Sequence, residues 1–285
     1  MIKLNYKLKG GNVMSKKAIN KVITAFVPVL NGCAKVFAKK PKELISLSKN
    51  GFADKKVYLT AHRGVTQFSP ENTLPAYEEA VRRGYYSAEC DIVLTKDKKW
   101  VLSHNEEIGT RLWQVGNYGD HTLEEVQKFS FKNGTNHWNK ALHVPTLEEF
   151  LDVFVGSETR PQIEIKGDNI DDLKKVIKAV HDRGMGKQAI IISFNLEQLQ
   201  KIRSIDSEIE LWYLIGRIDQ KAIDEVKTLG NAWFSPHFDK NDAESIQLAI
   251  DNGVNCSFWT VNTIKDAEFL YSLGIDHMET DILCN

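Results

Sequence analysis

The four cysteines of this 285-residue chain, Cys33, Cys90, Cys256 and Cys284, lie far apart and include no C-x-x-C pair. That spacing offers neither a zinc site nor a disulfide framework, and Cys90 and Cys256 sit inside apolar runs as small core residues. Long apolar runs are missing too: the best candidate, between Met14 and Lys40, is interrupted by Lys21, Asn31 and Lys35 and falls short of a bilayer span. No serine, threonine or cysteine stands in an evident nucleophile setting. Any hydrolytic chemistry therefore turns to water or to a hydroxyl of the substrate.

Acids are nearly absent from the first fifty positions, where eleven lysines face only Glu43, a balance of +10. Residues 51–285 carry 26 basic and 37 acidic side chains, a balance of -11. A basic head and an acidic body are thus distinct parts. The head lysines are not interleaved with stacking aromatics, and the body is acidic, so a nucleic-acid partner is disfavoured.

Three readings of the head stand open. Residues 14–42 form a basic amphipathic segment that lies on an anionic membrane surface or packs on the domain. Alternatively, Ser15-Lys16-Lys17 and the following apolar run are a secretory signal, with Leu30-Asn31-Gly32-Cys33 as a loose lipoprotein cleavage box, a reading that Lys21 weakens. The third is a disordered tail. The expected location is the cytoplasm or the periphery of a membrane, with secretion as the lesser alternative. Lys9-Gly10-Gly11 can also be encoded by a ribosome-binding sequence a few codons before Met14; in a bacterial source translation would begin there, leaving residues 1–13 untranslated.

From residue 57 short apolar runs alternate with amphipathic segments. Strands are expected at 57–61, 87–92, 100–103, 161–165, 189–193, 210–215, 232–235, 254–259 and 275–279. Helices are expected at 74–83, 147–154, 170–183, 196–205, 220–229, 243–252 and 264–273, several stopped by a glycine. Repeated βα units imply a parallel sheet covered by helices, and the length fits one TIM-type (β/α)8 barrel. Nine strands are one too many. Only Thr95-Lys96-Asp97-Lys98-Lys99 separates the second from the third, too short for a parallel crossover, so those two form a hairpin that carries His104 back to the level of Asp91. The expected organisation is an extension over 1–50 and a barrel over 51–285. A cap insertion covers about 105–144, where regular alternation lapses and Trp113, Tyr118, Phe129, Phe131 and Trp138 supply the cap's own core or touch substrate.

Charged residues recur at the ends of the predicted strands: His62 and Arg63, then Glu89 and Asp91, then His104, then Glu164 and Lys166. Barrel active sites are built at that end. Side chains two apart in a strand share a face, so Glu89 faces with Asp91 and Glu164 with Lys166. Two like charges about 4 Å apart repel by roughly 4 kcal/mol at an effective dielectric near 20, which demands compensation. If the two strands are neighbours, Glu89, Asp91 and Glu164 form an all-oxygen cluster suited to a hard divalent cation, leaving Lys166 for an anion. Arg63 and Lys166 suit a phosphodiester anion, and His62 and His104 suit proton transfer near neutral pH. Each residue also has a plainer reading: a strand cap for either histidine, an acid partner for Arg63, neutralisation of Glu164 by Lys166.

Ala61-His62-Arg63-Gly64, Pro70-Glu71-Asn72-Thr73, Glu89-x-Asp91, Thr95-Lys96-Asp97, His104, Pro145-Thr146-Leu147-Glu148-Glu149, Glu164-x-Lys166, Ser193-Phe194, Trp259-Thr260-Val261-Asn262 and Thr280-Asp281 together resemble the glycerophosphodiester phosphodiesterase family. The likeness runs from about Val57 to Ile282. It implies a TIM-type barrel that hydrolyses glycerophosphodiesters to sn-glycerol 3-phosphate and an alcohol with Ca²⁺ or Mg²⁺. By motif position it makes Glu89, Asp91 and Glu164 the metal ligands, His62 and His104 the acid/base pair, and Arg63 and Lys166 phosphate contacts. The implied mechanism has the glycerol 2-hydroxyl attack phosphorus and water then open the cyclic phosphate, with the division of labour between the histidines left open. Glu71 and Asn72 either order the loop after Arg63 or, with Thr73, simply start a helix; Trp259 either walls the glycerol site or fills the core. One position departs from the family pattern: Asn105 stands where the family usually has Asp. Two alternatives remain beside the soluble-substrate reading, a lysophospholipase D drawn to membranes by the basic head and a non-catalytic barrel that binds phosphate esters or a protein partner.

Overall fold

The computed structural model describes residues 43–109, 111–132 and 142–285. Its strands are β1 (Ile45–Ser46), β2 (Tyr58–Ala61), β3 (Ser87–Leu94), β4 (Trp100–Leu102), β5 (Arg160–Ile165), β6 (Ile190–Ser193), β7 (Glu210–Ile215), β8 (Ala232–Pro236), β9 (Ser257–Phe258), β10 (His277–Thr280) and β11 (Leu283–Cys284). The α-helices are α1 (Leu74–Arg82), α2 (Leu123–Val126), α3 (Leu147–Asp152), α4 (Leu173–Asp182), α5 (Leu196–Ile205), α6 (Gln220–Lys227), α7 (Ala243–Asp251) and α8 (Ile264–Ser272).

Eight strands run parallel in the order β8-β7-β6-β5-β3-β2-β10-β9. Parallel bridges Phe234–Cys256 and His237–Trp259 join β8 to β9, bringing the two ends of that order together. The helices cover the outside, as the expected TIM-type barrel requires. The supernumerary predicted strand, β4, pairs antiparallel with the far end of β3, with Ile92 opposite Leu102 and Leu94 opposite Trp100. Lys98, at φ 60, makes the tight reversal between them. The Ser103 N–H then donates to the Asp91 carbonyl at 3.0 Å, which sets His104 at the level of Asp91 as the short connector demands.

Period-two alternation sorts the strand side chains into two layers. Cys90, Ile92, Ile163, Ile165, Ile191 and Cys256 point outward and pack with helix residues such as Tyr77, Phe150, Leu173 and Val176. Burying each large side chain contributes roughly 2 kcal/mol before chain entropy is counted. Ile190, Ile192, Trp212 and Leu214 fill part of the barrel interior. Helix starts follow their caps: Thr146 and Glu149 form a capping box for α3, and Asn195, Asp219 and Asp242 cap α5, α6 and α7. The helix expected from residue 170 begins at Leu173, because the Asn169 side chain holds the Asp172 N–H in the preceding turn.

The insertion forms a cap with its own core: Ile108, Leu112, Tyr118, Val126, Phe129 and Phe131 cluster with Val93 and Val101 of the hairpin and with Val144. Trp113 departs from that expectation, 67 % exposed with the Lys132 ammonium 5.7 Å above its ring. Trp138 lies outside the described residues, as do Cys33 and the whole 14–42 segment expected at a membrane surface. Within the segment expected to be an extension, β1 pairs in parallel with β11, and Leu47 is fully buried in the main core. No described helix is long and apolar enough to cross a membrane.

Candidate active site

β3 and β5 are adjacent and in register, with Glu89 beside Gln162 and Asp91 beside Glu164. Glu89, Asp91 and Glu164 therefore converge, each offering a carboxylate oxygen within 4.8 Å of the others. All three are buried. Burial, then the charges of Asp91, Glu279 and Glu164, holds the Glu89 carboxyl well above the usual carboxylate range. Glu164 is pushed up to about 7 by burial and by Asp91. Asp91 goes the other way, to about 2: burial opposes ionisation, but Lys166, Arg63 and the Asn72 amide outweigh it.

The cations answer those charges. The Lys166 ammonium lies 2.9 Å from Asp91 Oδ1 and also contacts Glu164 Oε1. Arg63 Nε lies 3.4 Å from Asp91 Oδ2, and its Nη1 donates to Glu71 Oε2 at 3.3 Å. Lys166 thus rests on the acids, the plainer of its two sequence readings, because clustered carboxylates in a low-dielectric site attract the nearest positive charge.

The loop after β2 is shaped for this contact. Arg63 has φ 59 and Gly64 φ 80, and a Cβ on Gly64 would lie 2.7 Å from the Ala76 Cβ, so only glycine permits this close seat on α1. The Arg63 N–H points inward and donates to Glu89 Oε2 at 2.9 Å, whereas Glu89 Oε1 is buried with no hydrogen-bond partner among the described residues. Asn72 proves to order the site rather than cap the helix. Its amide donates to Asp91 Oδ2 at 2.9 Å, and its carbonyl oxygen accepts from the Asp91 N–H and the Tyr77 hydroxyl. Thr73 occupies the N-cap position of α1, but its hydroxyl donates to the Pro70 carbonyl instead.

His62 is fixed through Nδ1, 3.0 Å from Asp281 Oδ1, with Nε2 3.7 Å from Glu279. Burial disfavours its charge, yet Asp281 and Glu279 raise its pKa above the ordinary histidine value. His104, half-buried at the end of the hairpin, is lowered, chiefly by burial. Trp259 follows β9, donates its ring N–H to the Ser235 carbonyl at 2.9 Å and packs edge-on against Phe194 and His237. It is half-buried and packs against the interior cluster of Ile190, Ile192, Trp212 and Leu214. Asn105 is exposed beside His104.

Glu279 is not among the residues that the sequence singles out. It is buried, reaches His62 and Glu89, and accepts from Gln162 Nε2 at 3.1 Å, the end of a polar chain through Ser87 and Thr60 inside the barrel. Its signal is the same two-apart acid pattern, Glu279-Thr280-Asp281, at the end of the last core strand. Arg111 escapes the sequence pattern as well. From the cap it pairs with Glu71 at 2.8 Å and borders a cavity of about 260 Å³ that also touches His104, Asn105 and Glu107.

The residues suit a hard divalent ion: three converging carboxylates, one with an unpartnered buried oxygen, and no soft ligand in the cluster. Around them stand two imidazoles and two cationic side chains, the equipment for proton transfer at an anionic phosphoryl group.

Comparison with known proteins bears on the family and the fold. A glycerophosphodiester phosphodiesterase of Caldanaerobacter subterraneus is 26% identical over 240 residues, covering 79% of this chain and 94% of that protein. The glycerophosphodiester phosphodiesterase of Bacillus subtilis is 27% identical over 247 residues, covering 79% and 84%. Among solved structures, a phosphodiesterase of Oleispira antarctica in complex with the product sn-glycerol-3-phosphate superposes with a TM-score of 0.72 at 20% identity, covering 83% of this chain and 96% of that one. The model of the glycerophosphoryl diester phosphodiesterase family matches residues 62–283, a span that holds every side chain of the site described above. The chain belongs to that family of phosphoric diester hydrolases.

Proposed function

We propose that the protein hydrolyses water-soluble glycerophosphodiesters to sn-glycerol 3-phosphate and an alcohol with the help of a divalent ion, Ca²⁺ or Mg²⁺. The observation that carries this reading is the convergence of Glu89, Asp91 and Glu164 beside His62, Arg63, His104 and Lys166 at one end of the barrel. The three carboxylates would hold the ion, which when bound supplies positive charge to the phosphoryl oxygens. Arg63 and Lys166 orient the phosphate, Arg63 through its planar fork.

His62 is the general base. A carboxylate on Nδ1 fixes the ring and strengthens the basicity of Nε2, the same division of labour as in an Asp-His pair of a hydrolytic triad. It takes the proton of the glycerol 2-hydroxyl, whose oxygen attacks phosphorus as the bond to the alcohol breaks. His104, whose pKa burial lowers, takes up a proton beside the anionic phosphate and gives it to the departing alcohol oxygen. The resulting cyclic phosphate is opened by water with the roles reversed. The glycerol lies toward Trp259, on the same side as His62, and the alcohol toward His104.

Release of glycerol 3-phosphate from a panel of glycerophosphodiesters, with EDTA and with added Ca²⁺ or Mg²⁺, tests this. Release that depends on the ion supports the reading. Robust release insensitive to chelation would sink the ion's role, and no release from any diester would leave a phosphate-ester-binding barrel.

A further inference from the structure

The cavity between His104 and the cap adjoins the acid cluster through Asn72, whose amide donates to Asp91, and its polar groups are of both kinds. Arg111 Nη2 is committed to Glu71 at 2.8 Å, but Arg111 Nη1 is buried and has no hydrogen-bond partner among the described residues. A buried guanidinium N–H with no acceptor is costly unless a ligand supplies one. Glu107, also on the cap, offers an acceptor on the same cavity. The aromatic neighbours Tyr118 and Phe131 are 3 % and 8 % exposed, packed in the cap core, so they present almost no ring surface. At about 260 Å³ the cavity suits a small polar group.

We infer that this cavity receives the alcohol arm of the phosphodiester and selects it for a polyol, Arg111 donating to one hydroxyl oxygen and Glu107 accepting from another hydroxyl. The inference rests on the hydrolytic reading above, which sets the glycerol toward Trp259 and leaves the His104 side to the alcohol. A hydroxyl both accepts and donates, so a polyol satisfies both groups. A quaternary ammonium neither donates nor accepts a hydrogen bond there, and it lacks an open aromatic face to rest on. The plainer role for Arg111 is a clamp that holds the cap to Glu71 and, through it, Arg63. That role uses Nη2 alone and does not explain Nη1.

The test compares kcat/KM for glycerophosphoglycerol, glycerophosphoinositol and glycerophosphocholine in the wild type, Arg111→Gln and Glu107→Gln, with Arg111→Lys as a second variant that keeps the charge but loses the fork. The wild type is expected to favour the two polyol diesters. The ratio of polyol to choline turnover should fall at least about tenfold in Arg111→Gln, the discrimination expected when a hydrogen-bonded hydroxyl loses its partner. An unchanged ratio, with all three substrates slowed alike, would overturn the proposal and leave Arg111 a positioning residue or a contact to the glycerol arm common to all. A wild type that releases glycerol 3-phosphate from none of them would count against the hydrolytic reading itself. Calorimetric binding of the intact diesters then decides the subsite separately: polyol diesters bound more weakly by Arg111→Gln sustain it, and equal affinities refute it. Melting temperatures identify a variant that has failed to fold, in which case Glu107→Gln carries the same ratio test.

Discussion

Glu164→Gln should raise stability without a divalent ion and lose most or all of that advantage with one. Glu164 is raised from its ordinary value of 4.5 to about 7, by burial first and then by Asp91. A carboxyl raised in the folded state favours folding while protonated, so its contribution is intact below about pH 4.5 and is lost as pH rises through 7. At pH 8 the ionised carboxylate therefore costs the ion-free fold up to about 3 kcal/mol, since each factor of ten in the proton equilibrium is worth about 1.4 kcal/mol. Glutamine removes that charge, and Lys166 keeps Asp91 as partner at 2.9 Å. For a domain of this size each kcal/mol moves Tm by about 2–4 °C, so in EDTA at pH 8 the variant should melt about 6–12 °C above the wild type. Adding a divalent ion to a hundred times its dissociation constant should stabilise the wild type by about 2.7 kcal/mol and the variant far less, narrowing or reversing the order. Differential scanning calorimetry at pH 5 and pH 8, with EDTA and with each ion, checks this. The reasoning fails if Glu164→Gln melts at or below the wild type in EDTA at pH 8, or if both proteins gain the same increment from the ion.

Asp281→Asn should lower kcat/KM by about 10² or more. It should also move the acidic limb of the pH profile to lower pH, since the carboxylate that raises His62 is gone and a base works unprotonated; an unmoved limb would remove His62 from that role. Tyr77→Phe deletes one donor to Asn72 while the Asp91 N–H still occupies the same oxygen, so denaturant unfolding should show a loss of about 1 kcal/mol. Asn105→Asp adds a charge at an exposed position, and divalent-ion affinity by titration should stay within about fivefold of the wild type; a larger gain would make that position a ligand.

Much of the site is legible in the sequence because barrel strands obey period two. Glu89-x-Asp91 and Glu164-x-Lys166 have to place both members of each pair on one face, and adjacency of β3 and β5 then builds the cluster. The five-residue connector forces the hairpin and with it the place of His104. Glu279-x-Asp281 carries the same pattern but passes for the buried end of a strand, because a single acid closing an apolar run looks like a boundary. Asn72 is ambiguous for a different reason: an asparagine before a helix commonly caps it, and only the fold reveals that its amide is drawn to Asp91 nineteen residues away. Arg111 sits where periodicity lapses, so no spacing rule points to it. For Lys166 the sequence leaves two partners open, the neighbouring acids and an anion, since strand alternation gives a face and not the ion that occupies it; the described residues show the acids.

The antiparallel pairing of β4 with β3 has a consequence for how this scaffold changes over generations. His104 rides on the same two-stranded ladder as Asp91 and is fixed to it by the Ser103 N–H bond, while Arg111 and Glu107 hang beyond that ladder on the cap. Proton transfer and ion binding are thereby geared to one ladder, against which the cap packs through Val93 and Val101. If the cavity receives the alcohol, substitutions at Arg111 and Glu107 retune which alcohol is accepted without displacing His104 from Asp91, so selection can alter the diet of the enzyme while its chemistry stays in register.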